Sequence, residues 1–190
     1  MKKIIIILTV FILSITAFAE NGSTSSYTST NLKDCKEPMG IFQKFYDYGV
    51  AGQIDEDYGQ DIPGAMECKA NNGFKIFFVS ESISWFDISD GKQIWSTKNN
   101  ITSFSTNIMS FPSVEEGKME WRYTKSGNLK GIIFRIKGMD IGNYEKYISR
   151  LLVINLENKT PKYCGAAKTN EEARNLLDSD KCTQTLEKIK

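Results

Sequence analysis

The sequence predicts a mainly β domain: an antiparallel sandwich or small barrel of about seven strands, with a short N-terminal helix and a disulfide-tied C-terminal helix. Three observations lead there. From Gly73 onward the apolar residues recur mostly with a period of two, the spacing of half-buried strands. The pairs Asp90-Gly91 and Gly127-Asn128 fall between such runs, where hairpins turn. Four cysteines accompany a leader of secretory composition, so the even count reads as disulfides.

The leader comes first. MKKIIIILTVFILSITAFAE places Lys2 and Lys3 before an apolar run from Ile4 and ends at Ala17-Phe18-Ala19. A basic start, a short apolar stretch and a small-x-small cleavage site make residues 1–19 a signal peptide. A bilayer span needs about 20 apolar residues, and this run is shorter and broken by Thr9, Ser14 and Thr16. Residues 20–34, rich in Ser and Thr and poor in apolar side chains, read as a disordered leader. Residues 35–190 then form a single β-rich domain.

Within that domain, Met39, Phe42, Phe45 and Tyr46 share a helical face and predict the short N-terminal helix. GFKIFFVS follows as a short apolar strand. ISWFDISDGKQIWSTK reads as a hairpin with a two-residue turn at Asp90-Gly91, which sets Phe86 opposite Trp95. Ile83, Trp85 and Ile94 occupy its other face, so both sides are expected to be partly covered. ITSFSTNIMSF reads as a weaker strand ending at Pro112.

KMEWRYTKSGNLKGIIFRIK carries the clearest pattern. A two-residue turn at Gly127-Asn128 pairs Tyr123 with Ile132, Trp121 with Phe134 and Met119 with Ile136. These six share one face, while Glu120, Arg122 and Thr124 take the other. YISRLLVINLEN adds another half-buried strand.

Cys35–Cys68 and Cys164–Cys182 are the pairings expected, because each closes a local loop. Each closure is worth about 3–4 kcal/mol in the chain-entropy account. The second pair brackets a helix. Thr169 and Glu172 have capping-box spacing, Glu171 and Glu172 suit a helix N-terminus, and Ala173, Leu176 and Leu177 make one apolar stripe. In architecture, though in no sequence motif, a signal peptide, a β-rich body and a tied C-terminal helix resemble lipocalin-like exported proteins.

The chain contains no histidine, which removes Ser-His-Asp triads, Cys-His dyads and histidine metal ligation. No cysteine pair has C-x-x-C spacing, so the thiols read as structural. Ser89 and Lys92 match S-x-x-K, but they straddle a predicted turn and lack the motif's companion elements. DEDYGQD offers Asp55, Asp57 and Asp61 as hard oxygen ligands for calcium, although no Glu closes an EF-hand shell at position twelve. A solvated acidic loop is the competing reading of that stretch. Trp85, Trp95, Trp121 and Tyr123 either line a concave apolar site or form ordinary sheet core.

Cleavage removes two basic residues and no acidic ones, leaving a nearly neutral chain. That balance gives no footprint for nucleic acid and no polybasic patch for anionic lipid. No membrane insertion is expected after cleavage. The expectation is an exported, periplasmic or extracellular binding or interaction module without catalytic residues, engaging an unknown protein or a small apolar ligand and needing no cofactor. The alternative is a carboxylate- or calcium-dependent enzyme built on the Asp55–Asp61 loop.

Overall fold

The computed structural model describes residues 23–46, 64–179 and 181–190, and within them the period-two segments form two open antiparallel sheets. The chain begins with β1 (Thr24–Ser29) and α1 (Ile41–Phe45), then β2 (Gly64–Cys68), β3 (Lys75–Ser80), β4 (Ser84–Ser89) and β5 (Ile94–Ser96). It continues through α2 (Lys98–Ser105), β6 (Met109–Val114), β7 (Lys118–Tyr123), β8 (Leu129–Asp140) and β9 (Asn143–Asn155). It closes with β10 (Lys162–Ala167), α3 (Asn170–Asp178), β11 (Gln184–Thr185) and β12 (Glu187–Lys188). The larger sheet has seven strands in the order β1-β7-β8-β9-β10-β11, with β6 pairing the far half of β8. The smaller has five, in the order β12-β5-β4-β3-β2.

The arrangement is an open sandwich rather than a small barrel, so the barrel alternative and the lipocalin-like architecture both fall away. The sheets meet through their alternating apolar faces. Ile76, Phe78, Phe86 and Ile88 of the smaller sheet pack in one core with Met119, Trp121, Ile132, Phe134, Leu152 and Ile154 of the larger. Phe86 and Phe134 meet edge to face across the seam with ring centroids 5.0 Å apart.

Both predicted hairpins form, each displaced in register by two residues. Trp121 pairs with Ile132 and Glu120 with Ile133, because the loop runs from Thr124 to Asn128 instead of using two residues. Thr124 closes that loop, donating from its N–H to the Asn128 carbonyl and accepting at its own carbonyl from the Gly127 N–H. Ile88, not Phe86, pairs with Trp95, since residues 90–93 make a four-residue loop. There the Asp90 carboxylate accepts from the backbone N–H groups of Lys92 and Gln93 at 2.9 and 2.8 Å. A shift of two preserves which face each side chain takes, so the segregation of faces survives both corrections.

Two other expectations are corrected. Thr24–Ser29, within the expected disordered leader, is an ordered strand on the edge beside β7. Its hydroxyls bind what β7 buries: Thr28 Oγ1 accepts from the Trp121 indole at 2.8 Å, and Ser25 Oγ donates to Glu120 at 2.6 Å. The segment expected as a weak strand before Pro112 begins as α2, whose Ile101 and Ser105 are buried. Pro112 then lies inside β6, at an irregularity between Ser110 and Ser113 where the ladder is interrupted.

Each sheet has an outer face as well. On the smaller sheet Phe77, Val79, Trp85 and Asp87 point outward yet are buried, with α1 setting Phe42 and Tyr46 against Phe77. On the larger sheet α3 lays Ala173, Leu176 and Leu177 over Ile133, Leu151 and Val153. The capping box is complete: Thr169 Oγ1 accepts from the Glu172 N–H, and the Glu172 carboxylate accepts from the Thr169 N–H. The Cys35–Cys68 and Cys164–Cys182 disulfides are both formed.

Gly131 lies beside β9 and under Leu177 of α3, and a Cβ there would collide with the Ile154 carbonyl and Leu177 Cδ1. Gly131→Ala is expected to cost at least about 1–3 kcal/mol, the usual penalty of overpacking, read from urea unfolding of the oxidised protein. Replacing Cys164 and Cys182 together by Ser should remove about 3 kcal/mol and lower the Tm, which scanning calorimetry will register.

Candidate functional site

The period-two rule that buries one face of the larger sheet brings an ordered set of polar side chains to the other. Along β7 the outer face carries Lys118, Glu120 and Arg122; along β8 it carries Gly131, Ile133, Arg135 and Lys137. Strand β1 adds Ser25 and Tyr27, and β9 adds Tyr147, Ser149 and Leu151. Helix α3 covers one end of this surface, over Ile133, Leu151 and Val153, and the remainder is open to solvent.

Beneath α3 the polar groups are tied down. Glu120 Oε1 accepts from Ser25 Oγ at 2.6 Å and from Arg174 Nε at 3.0 Å. Arg122, buried beside it, donates to the hydroxyls of Ser25 and Ser23 and lies 3.7 Å from both Glu120 and Asp178. Its Nε is buried without a hydrogen-bond partner. Lys130 pairs with Asp178 at 3.2 Å. The network binds β1 and α3 to the sheet, and buried polar groups need such partners to offset the loss of water.

At the N-terminal end of α3 the surface opens into a groove of about 350 Å³. Ile133 and Leu151 line it beside the charged groups Glu115, Glu116, Lys118, Glu120 and Arg135, with Tyr27 on the β1 side and Asn170 on the helix side. Arg135 Nε lies 3.7 Å from Glu115, and Arg135 donates to Ser149 Oγ at 3.1 Å. Farther along, Lys137 holds its ammonium 4.9 Å from the centre of the Tyr147 ring. Tyr27 and Tyr147 are 53% and 63% exposed. A second groove, of about 470 Å³, lies beside the Cys35–Cys68 bridge, with Asp34, Lys36, Glu67, Lys69 and Lys75 around it.

The aromatic residues singled out in the sequence do not line either groove. Trp85, Trp95 and Trp121 are buried and Tyr123 is half-buried, all packed in or against the main core. Asp55, Asp57 and Asp61 lie outside the described residues. Among the described residues there is no group of three or more acidic or cysteine side chains arranged to hold a metal ion. Ser89 of the S-x-x-K match is buried, with its hydroxyl accepting from the Gly91 N–H at 3.0 Å.

Sequence reasoning missed Asp87, the one buried carboxylate on the outer face of the smaller sheet. It is 1% exposed. Its Oδ2 accepts from the Tyr46 hydroxyl at 3.0 Å and its Oδ1 from the Trp85 indole at 2.9 Å. Ser96 is its neighbour across the β4–β5 pair. Burial outweighs these favourable bonds and pushes its pKa up to about 6. Burial likewise raises the Tyr46 phenol well above its ordinary value, and the Asp87 charge adds to the rise. Asp87 lines neither described groove. An acid alternating with aromatics in SWFDIS was the available signal; a partner on α1, distant in sequence, was not readable.

A carboxyl whose folded pKa lies above its unfolded value favours the folded state in acid. Stability from Asp87 is therefore fully present below about pH 4 and is lost as pH rises through about 6. Asp87→Asn keeps the shape without the charge: its carbonyl can accept from the Trp85 indole while its amide donates to the Tyr46 oxygen. The variant should exceed the native protein by up to about 3 kcal/mol at pH 7.5, with the gap closing near pH 4, as measured by urea unfolding across that range. No protein-family model, characterised protein or solved structure matches the chain.

Proposed function

We propose that this protein is an exported, non-catalytic interaction module whose working surface is the open part of the larger sheet's outer face. The carrying observation is the strip from Tyr27 through the groove to Tyr147, where two tyrosines stand exposed on either side of a half-buried Arg135. Tyrosine and arginine dominate the energetics of protein interfaces because each combines large contact area with directed polar bonds. An apolar floor with a charged rim also suits a protein partner better than a small apolar ligand. The tryptophans that would have served such a ligand are spent on the core.

Two disulfides point to an oxidising, extracytoplasmic compartment, and among the described residues no helix is long and apolar enough to cross a membrane. Export through cleavage after Ala19, to the periplasm or the extracellular space, completes the reading. Residues 1–19 lie outside the described residues and support it by composition alone.

The test is capture from native envelope or culture fluid with the oxidised protein starting at Glu20, compared with a Tyr27→Ser, Lys118→Glu, Tyr147→Ser variant. All three side chains are solvent-facing, so far-UV circular dichroism and Tm should stay close to the parent. Captured partner should fall at least tenfold. Equal capture by the two proteins removes this face as the binding surface.

A further inference from the structure

The buried Asp87 lies on the opposite sheet from that surface, and its environment implies a behaviour the interaction reading does not require. Helix α1 has five residues, too few to hold itself together in water, so its position depends on what it docks against. It docks through Phe42 and Tyr46, both set against Phe77, and through the Tyr46 hydroxyl on Asp87. Among the described residues, the directed polar bond in that contact therefore ends on a carboxyl group.

Among the described residues, most groups facing that carboxyl are neutral. Strand β3 presents Phe77, β5 presents Ser96 and α1 presents the Tyr46 phenol. Trp85, two residues away on the same strand, gives an indole N–H. The facing cation is Lys98 of α2, whose ammonium sits 4.3 Å from the centre of the Trp85 ring and is paired with Glu81 at 2.8 Å. A carboxylate enclosed this way carries its desolvation cost with two neutral donors and a cation already paired to Glu81, and that cost is relieved either by a proton or by water.

We propose that Asp87 makes the docking of α1 onto the smaller sheet proton-dependent, acid holding the helix down and alkali loosening it. The sign follows from linkage. Undocking lets water reach the carboxyl and lowers its proton affinity, so the docked state binds the proton more tightly and is favoured wherever the proton is present. The phenol can reverse its role and accept from the protonated acid, so the bond to α1 persists in both states.

Hydrogen exchange on the oxidised protein, read by mass spectrometry and corrected for the intrinsic pH dependence of exchange, tests this. The opening of residues 41–46 should increase by up to about 25-fold between pH 4.5 and 7.5, while residues 132–136 in the core change little. Asp87→Asn should flatten the dependence. Carbon-13 NMR of the Asp87 carboxyl in the native protein provides a measurement that needs no variant, with a midpoint expected near 6. A carboxyl midpoint near 4, a flat α1 profile in the native protein, or an unchanged profile in Asp87→Asn would each overturn the proposal. The capture experiment is unaffected by any of these results.

Discussion

The constraint from which the rest follows is the seam where Phe86 of the smaller sheet meets Phe134 of the larger. Side chains on a strand alternate, so placing Phe86 and Ile88 inward fixes Trp85, Asp87 and Ser89 outward. Placing Trp121 and Phe134 inward fixes Glu120, Arg122, Ile133 and Arg135 outward. Two of those outward sets contain bulky apolar groups, Trp85 with Phe77 and Ile133 with Val153, which cannot be left in water without loss. Each sheet therefore requires a cover, and α1 and α3 are the covers.

The two covers handle the polar residues beneath them differently. Under α3, Glu120 and Arg122 are neighbours of opposite charge, with Ser25, Arg174 and Asp178 supplying further partners from β1 and α3. The charges compensate one another, and one guanidinium nitrogen is left over. Under α1 a single acid is buried, and burial outweighs its hydrogen bonds and the nearby Lys98 charge, so its proton affinity rises. The difference comes from cross-strand placement: Arg122 faces Gly131, which leaves room for a charged network and for the helix, whereas Asp87 faces Phe77 on one side and Ser96 on the other. One cover is held by apolar contact and ion pairs, the other by apolar contact and a hydrogen bond to a buried acid whose pKa is raised to about 6.

Much of this frame was legible because alternation and capping are local codes. The faces of Met119, Trp121 and Ile132 followed from period two alone, as did the two-sided burial around Trp85 and Ile94. The α3 cap and stripe followed from residues within nine positions of one another. Register did not follow, because Asp90 and Thr124 close longer loops with bonds that compete with two-residue turns. Strand β1 was missed because its serines and threonines look like a disordered segment until Trp121, Arg122 and Asn71 are brought beside them to donate to their hydroxyls. The open groove joins residues from four strands, a loop and a helix, and no local pattern announces such a convergence.

The placement of the disulfides is explained by the same covers. Helices of five and nine residues do not persist alone, since too few internal hydrogen bonds repay the cost of nucleation. Cys35–Cys68 fastens the segment leading into α1 to the end of β2, and Cys164–Cys182 joins β10 to the chain beyond α3. Neither bridge crosses the seam, where continuous apolar packing already supplies cohesion. Each shortens the excursion available to a cover that would otherwise peel away with little resistance. Covalent ties thus appear where burial is least self-sufficient, and the sheet faces stay shielded even though the helices that shield them are too short to do so unaided.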